Sequence, residues 1–183
     1  MTLIPLGILA QVGFIADTSY ALIATANGTG ASGTITFSSI PSDFQHLQIR
    51  YTAKNTSTAV DINVRINGAT GTIYARHSLL GNGSSVTSTA VTSQTSIPMV
   101  ESMATTTTTG LASAGVIDIL DYKDTSKNTT IRALYGQTGN INRIFLTSGL
   151  YIATTAATSL ELIAASGNFA TISRFSLYGI RGA

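Results

Sequence analysis

HLQIRYTAK (46–54) and VDINVRIN (60–67) decide how this chain folds. In the first run Leu47, Ile49, Tyr51 and Ala53 alternate with His46, Gln48, Arg50, Thr52 and Lys54. In the second, Val60, Ile62, Val64 and Ile66 alternate with Asp61, Asn63, Arg65 and Asn67. Successive side chains leave a pleated backbone on opposite sides, so a two-residue period marks a strand with one buried face. The apolar members are expected to face a core and the polar members, Gln48 included, to face solvent.

Working outward, the stretches 19–26, 33–40, 72–80, 96–103, 115–122, 129–135, 142–152, 158–165 and 171–180 are rich in Ile, Val, Thr, Tyr or Phe, as strands prefer. With the two opening runs they make about eleven predicted strands. Leu47, Ile49, Ile62, Val64, Phe175 and Leu177 are the expected core, and Ser176, out of phase with its neighbours, is expected outside. Asn27-Gly28, Asn67-Gly68 and Asn82-Gly83 offer the positive φ that tight hairpins require, with Gly139-Asn140 and Gly167-Asn168 serving similarly. GNGSSVTSTAVTSQT (81–95) and ATTTTTGLASA (104–114) read as long polar loops, crossing a sheet edge or meeting another subunit. No segment has a helical period, and the Thr, Ser and Gly content disfavours helix. The pattern predicts an all-β chain, an antiparallel β-sandwich or jelly roll, with a closed barrel as the alternative.

At 183 residues with 44% hydrophobic side chains, the chain suits one domain with an ordinary core. It contains no cysteine, which excludes disulfide scaffolds, thiolate metal sites and cysteine nucleophiles. Charged residues are 10%, against about 25% in typical proteins, and Thr and Ser together supply about a quarter of the chain. Ten Lys and Arg against eight Asp and Glu leave +2, too little to imply electrostatic capture of nucleic acid. A mean hydropathy of +0.30 excludes a disordered chain.

The first sixteen residues, MTLIPLGILAQVGFIA, carry no charge. They lack the basic start of a secretory signal, and Pro5, Gly7, Gln11 and Gly13 interrupt a run shorter than the ~20 residues that span a bilayer. Neither export nor membrane insertion is expected. Residues 1–16 are predicted to be an apolar arm that docks on a neighbouring chain through Leu3, Ile4, Leu6, Ile8, Leu9, Val12, Phe14 and Ile15, with an edge strand of the same domain as the alternative. Residues 17–183 would then form a single β-sandwich domain.

Signs of chemistry are sparse. His46 and His77 each lie near an arginine; a catalytic pair would need a carboxylate or nucleophile partner that sequence does not place, and both are expected to be exposed or at an interface. Asp118, Asp121 and Asp124 are an acidic cluster, but residues three apart on a strand point to opposite faces. They are expected to form a strand end and a turn over 124–127 rather than a Ca²⁺ site. Two Glu and six Asp leave little for glycoside hydrolysis, and no serine sits in a G-x-S-x-G elbow. The sequons at Asn27, Asn55, Asn82 and Asn128 are read as chance. Arg50, Arg65, Arg76, Arg132, Arg143, Arg174 and Arg181 are scattered, which suits isolated interface arginines better than a nucleic-acid groove. Neither enzymatic activity nor a cofactor or metal is expected.

TITFSSIPSDFQHLQIRYTAK (34–54), NVRINGATGTIYARH (63–77), GVIDILDYKDTSKNTTIRAL (115–134), LTSGLY (146–151) and SRFSLYGIRG (173–182), with the opening PLGILA (5–10), carry a resemblance. In this order they resemble the small all-β virion structural proteins of tailed bacteriophages, over most of the chain. These motifs specify packing and turns and hold no catalytic residues. The resemblance implies a jelly-roll-like module on the outside of a virion, assembled in the host cytoplasm. Its expected work is capsid decoration, cementing the outer surface of the head by binding the major capsid protein, as a homotrimer or a dimer. The alternative it implies is a fibre or spike module that binds a host surface glycan, for which Tyr74, Tyr135 and Tyr151 are candidate platform residues, although core placement suits each of them better.

Overall fold

The two alternating runs become strands of two different sheets. The structure, a computed structural model, describes residues 19–104, 110–137 and 142–182. Among them lie twelve strands and no helix: β1 (Tyr20–Asn27), β2 (Thr34–Phe37), β3 (His46–Asn55), β4 (Val60–Ile66), β5 (Tyr74–Gly81), β6 (Val86–Gln94), β7 (Ile97–Ala104), β8 (Ser113–Leu120), β9 (Thr129–Gln137), β10 (Arg143–Tyr151), β11 (Leu160–Ala164) and β12 (Arg174–Ile180). The larger sheet runs β1-β12-β3-β8-β9-β10-β5-β6 and the smaller β2-β11-β4-β7, all neighbours antiparallel. The sheets meet at one corner, where Lys54 and Asn55 of β3 pair in parallel with Met103 and Ala104 of β7. The architecture is an antiparallel β-sandwich.

The core lies between the inner faces. Leu47, Ile49, Ile117, Ile119, Ile131, Phe175 and Leu177 from the larger sheet and Ile62, Val64, Ile66, Ile97, Leu160 and Leu162 from the smaller are all 0% exposed. Each full burial contributes about 1.5–3 kcal/mol before ordering costs. Phe175 packs in this core, stacked on Tyr51 of the adjacent strand at 5.8 Å and edge-on to Phe169 of the β11–β12 connection at 4.9 Å. The six expected core residues are all there.

Three expectations are corrected. Residues 81–95 are not a loop: β6 pairs with β5 from Gly81↔Val86 to Tyr74↔Gln94, and Asn82-Gly83 forms the hairpin tip, Gly83 at φ 89°. Gln48 and Ser176 are buried, because β3 and β12 are interior strands whose outer face is roofed by long neighbouring side chains. Gln48 donates to Asp118 Oδ1 at 2.8 Å and accepts from Arg50 Nε at 2.8 Å, while Ser176 Oγ meets Thr25 Oγ1 at 3.0 Å. Asn27-Gly28 is not a hairpin turn; Gly28 donates to Ser173 O at 2.9 Å, and a Cβ there would stand 2.1 Å from Ala170 O. Asn67-Gly68 does have the expected positive φ, at 53° and 63°, but it carries the chain from one sheet to the other.

The expected arm, including Leu3, Ile4, Leu6, Ile8, Leu9, Val12, Phe14 and Ile15, lies outside the described residues, as does Gly139-Asn140.

Candidate functional site

Antiparallel register lines up residues of one face into rows across a sheet. On the outer face of the larger sheet one row reads Ser176, Arg50, Val116, Leu134, Leu146, Leu79, Ser88 across β12-β3-β8-β9-β10-β5-β6. Leu134, Leu146 and Leu79 stand side by side on β9, β10 and β5, exposed by 49%, 53% and 45%. The next row brings Ile144, exposed 59%, beside Gly136 and Gly81, with Val86, exposed 74%, on β6. Buried beneath them on the opposite face are Ala133, Tyr135 and Thr147. Leucine outside and threonine inside is the reverse of ordinary burial, and a contiguous apolar patch of this kind marks an interaction surface.

Beyond Leu79 and Leu146 the same face sinks into an open concavity of about 450 Å³ between β6 and β10, lined by Ala75, His77, Ala90, Thr130, Ser148 and Leu150 among others. Its lining includes the exposed His77; the neighbouring Arg76 is in phase with the inward-facing Gly149 and sends its guanidinium between the sheets, where Nη1 donates to Pro98 O at 3.1 Å. No carboxylate lines the concavity beside His77, and the lining residues form no acid–base or nucleophilic constellation. It is a shaped apolar and hydroxyl surface.

Toward β1 the face changes character. Arg50 lies between the rings of Tyr20 and Tyr178, its guanidinium carbon 5.3 Å from each centroid. Asp118 takes Gln48 on one side and Arg132, at 3.9 Å, on the other. The outer face therefore carries Arg50, Asp118 and Arg132 on β3, β8 and β9, beside an apolar stretch made by Leu134, Leu146, Leu79 and Ile144.

The sequence candidates fall apart in space. His46 Nδ1 accepts the backbone N–H of Asp121 at 2.9 Å, a structural bond. Asp124 caps its own turn, accepting the N–H of Ser126 at 2.7 Å, and Asp121 binds Gln45 and Lys127. Hydrogen bonds from Lys127 and then Gln45 hold the Asp121 carboxyl below its ordinary value, and the bond to Asp121 raises Lys127. Among the described residues no three His, Cys, Asp or Glu side chains gather to hold a metal, and no helix there is long and apolar enough to cross a membrane. Asn55 is fully buried, donating to Ser166 O at 2.9 Å and accepting from Ser57 N at 2.7 Å, so its sequon is closed to a sugar.

Tyr74, Tyr135 and Tyr151 take the core placement that suits them better than a platform, buried at 0%, 4% and 3%; Tyr74 and Tyr151 stack on each other at 5.2 Å inside the sandwich. Arg65 pairs with Glu161 at 3.3 Å and Arg181 lies 5.2 Å over the Phe44 ring, besides the contacts of Arg50, Arg76 and Arg132 above. The apolar rows escaped the sequence reading because Leu134 and Leu146 are of the residue type that usually fills a core. Compared with known proteins, the chain matches no family model, no curated protein and no solved structure.

Proposed function

We propose that this chain is a structural protein of a bacteriophage virion, a capsid decoration protein that binds the major capsid protein on the outer surface of the head and stabilises the shell. The observation that carries the reading is the apolar stretch on the outer face of the larger sheet. A two-sheet framework with a fully packed core presents Leu134, Leu146, Leu79, Ile144 and Val86 to solvent without an accompanying reactive group. Such a surface is suited to adhesion rather than chemistry. The resemblance of the strand motifs to small phage virion proteins supplies the particle and the partner. Assembly as a homotrimer would suit the local threefold positions of a shell, with a dimer as the alternative.

A second reading, a fibre or spike module that binds a host glycan, is favoured by one feature. The Tyr20–Arg50–Tyr178 stack, with Tyr20 44% exposed, places aromatic faces and a guanidinium together on the surface. Counting and locating the chain in purified particles of the phage that encodes it separates the two. Many copies spread over the shell are expected for decoration. A few copies at one vertex favour the second reading, and absence from the particle overturns both.

A further inference from the structure

Asparagine is followed by glycine three times in the chain, at Asn27-Gly28, Asn67-Gly68 and Asn82-Gly83, in three different surroundings. A glycine leaves its own backbone nitrogen sterically open, so that nitrogen can attack the carboxamide carbon of the asparagine before it. The attack needs a free nitrogen, a free leaving amine and donors on the oxygen that gains charge. At Asn27-Gly28 the nitrogen is taken: Gly28 N donates to Ser173 O at 2.9 Å, and the glycine is buried against Ala170 O. At Asn67-Gly68 the carboxamide is taken. Its Nδ2 donates to Ala156 O at 2.8 Å, and its Oδ1 accepts from Thr158 N at 2.8 Å, Thr158 Oγ1 at 3.2 Å and Ser159 N at 3.2 Å, which pins both ends of the group to the β10–β11 connection.

Asn82-Gly83 differs on every count. Both residues are exposed at the tip of the β5–β6 hairpin, with open space where a Cβ on Gly83 would stand. Among the described residues no hydrogen bond holds the Gly83 N–H or Asn82 Nδ2. Asn82 Oδ1, in contrast, accepts from four donors: Ser84 N at 3.0 Å, Ser84 Oγ at 3.0 Å, Ser85 N at 2.8 Å and Ser85 Oγ at 3.2 Å. The bond from Ser84 N closes a small ring that contains the Gly83 nitrogen, so the attacking atom and the carboxamide are held in one turn. The four donors draw electron density from the carbonyl carbon and stabilise the charge that grows on Oδ1 as the nitrogen bonds to that carbon.

We propose that Asn82 is a self-modification site, at which the chain converts its own asparagine to an aspartyl residue with water as co-reactant. The Gly83 nitrogen gives its proton to water and bonds to Asn82 Cγ, the negative charge passing to Oδ1. The tetrahedral centre then collapses, the Cγ–Nδ2 bond breaks and Nδ2 leaves with a proton from water as ammonia, giving a cyclic imide. Water opens the imide at Cγ to give aspartate, or at the backbone carbonyl to give isoaspartate. Nothing is oxidised or reduced, and the net change is water in and ammonia out. Residues 78–100 contain no charged side chain, so the new carboxylate is the first charge on this hairpin. In the aspartate product the same four donors meet an anionic oxygen, which accepts more strongly than a carboxamide, and the turn is kept. The site does not depend on the virion reading and is measurable on the isolated protein.

The full-length chain is incubated at mildly alkaline pH and followed by peptide mapping, with mass spectrometry to count conversion at each asparagine and chromatography to separate aspartyl from isoaspartyl peptides. Asn82 is expected to convert roughly tenfold or more faster than Asn27 and Asn67. No conversion at Asn82, or comparable rates at all three, would overturn the proposal. In denaturing urea the three pairs should react alike, and Asn82 no faster than in the folded protein; a marked acceleration there would show that the turn protects Asn82 instead of activating it. Ser84→Ala/Ser85→Ala removes the two hydroxyl donors at exposed positions and should slow the conversion severalfold with an unchanged melting temperature, whereas an unchanged or faster rate would contradict the role of the donors. Asn82→Asp, the aspartate product made directly, should melt no lower than wild type. A clear fall in its melting temperature would show that the donors do not fit a carboxylate.

Discussion

Phe175 and Ser176 are adjacent on β12 and buried on opposite faces, which makes them a sensitive pair for the two-layer architecture. Phe175→Ala removes a ring that is 0% exposed and packed between Tyr51 and Phe169. Truncating a buried Phe to Ala costs about 3–5 kcal/mol through lost transfer energy and the remaining cavity. The two ring contacts place this site toward the upper end, since an aromatic pair adds about 0.5–1.5 kcal/mol beyond its area. Against a total stability of about 5–15 kcal/mol, that is a large share, and the melting temperature should fall by roughly 6–20 °C for a domain of this size. Ser176→Ala removes one hydroxyl bond, to Thr25, and should cost only about 0.5–1.5 kcal/mol. Urea unfolding followed by circular dichroism gives both numbers from the midpoint, provided the slope with denaturant is unchanged. A Phe175→Ala loss below about 1 kcal/mol, or a larger loss for Ser176→Ala, would refute the assignment of Phe175 to the space between the sheets.

Three further outcomes are expected. Asp121→Asn should flatten the acid limb of stability: the carboxyl is held below its ordinary value, so its contribution is present above pH ~4 and lost as pH falls further, and titrated melting curves that remain parallel to wild type below pH 4 would contradict it. Gly115→Ala should destabilise by about 1–3 kcal/mol, because the added Cβ would stand 2.4 Å from Tyr135 Cβ and 2.7 Å from Leu134 O, and a neutral result in denaturant would show that β8 and β9 are less closely apposed. Asn55→Ala should cost about 1–3 kcal/mol by leaving the Ser166 carbonyl and Ser57 amide without their partner, whereas unchanged stability of the variant in denaturant would contradict the burial of this side chain.

What the sequence made legible, and what it hid, follows from burial. HLQIRYTAK and VDINVRIN alternate because each has one face against the core, and the structure places their apolar residues there. VTSTAVTSQ has no such face. Largely exposed on both sides, β6 has no reason to alternate, and only its Val and Thr content marks it as a strand. Gln48 and Ser176 read as surface residues because hydropathy does not register a polar roof built by neighbouring strands. The candidate site was hidden for the converse reason. In RIFLTSGLY (143–151) the eye selects Ile144 and Leu146 for the core, yet Thr147, Gly149 and Tyr151 point inward. Gly149 is required there by close approach of the sheets, since a Cβ would meet Ile97 Cδ1 at 2.9 Å. Only register across three strands reveals that Leu134, Leu146 and Leu79 form a row.

Attachment to a phage head through the apolar stretch of the larger sheet, as proposed, would strengthen the shell. Heads assembled without the chain, supplemented with purified wild-type or Leu134→Ser/Leu146→Ser protein, test that directly when the temperature of DNA release is measured. Wild-type protein is predicted to sediment with the heads and raise the release temperature, and the variant to do neither while remaining folded. Heads that neither bind the wild-type protein nor gain heat resistance from it would contradict the account, as would a variant that binds and protects as well as wild type.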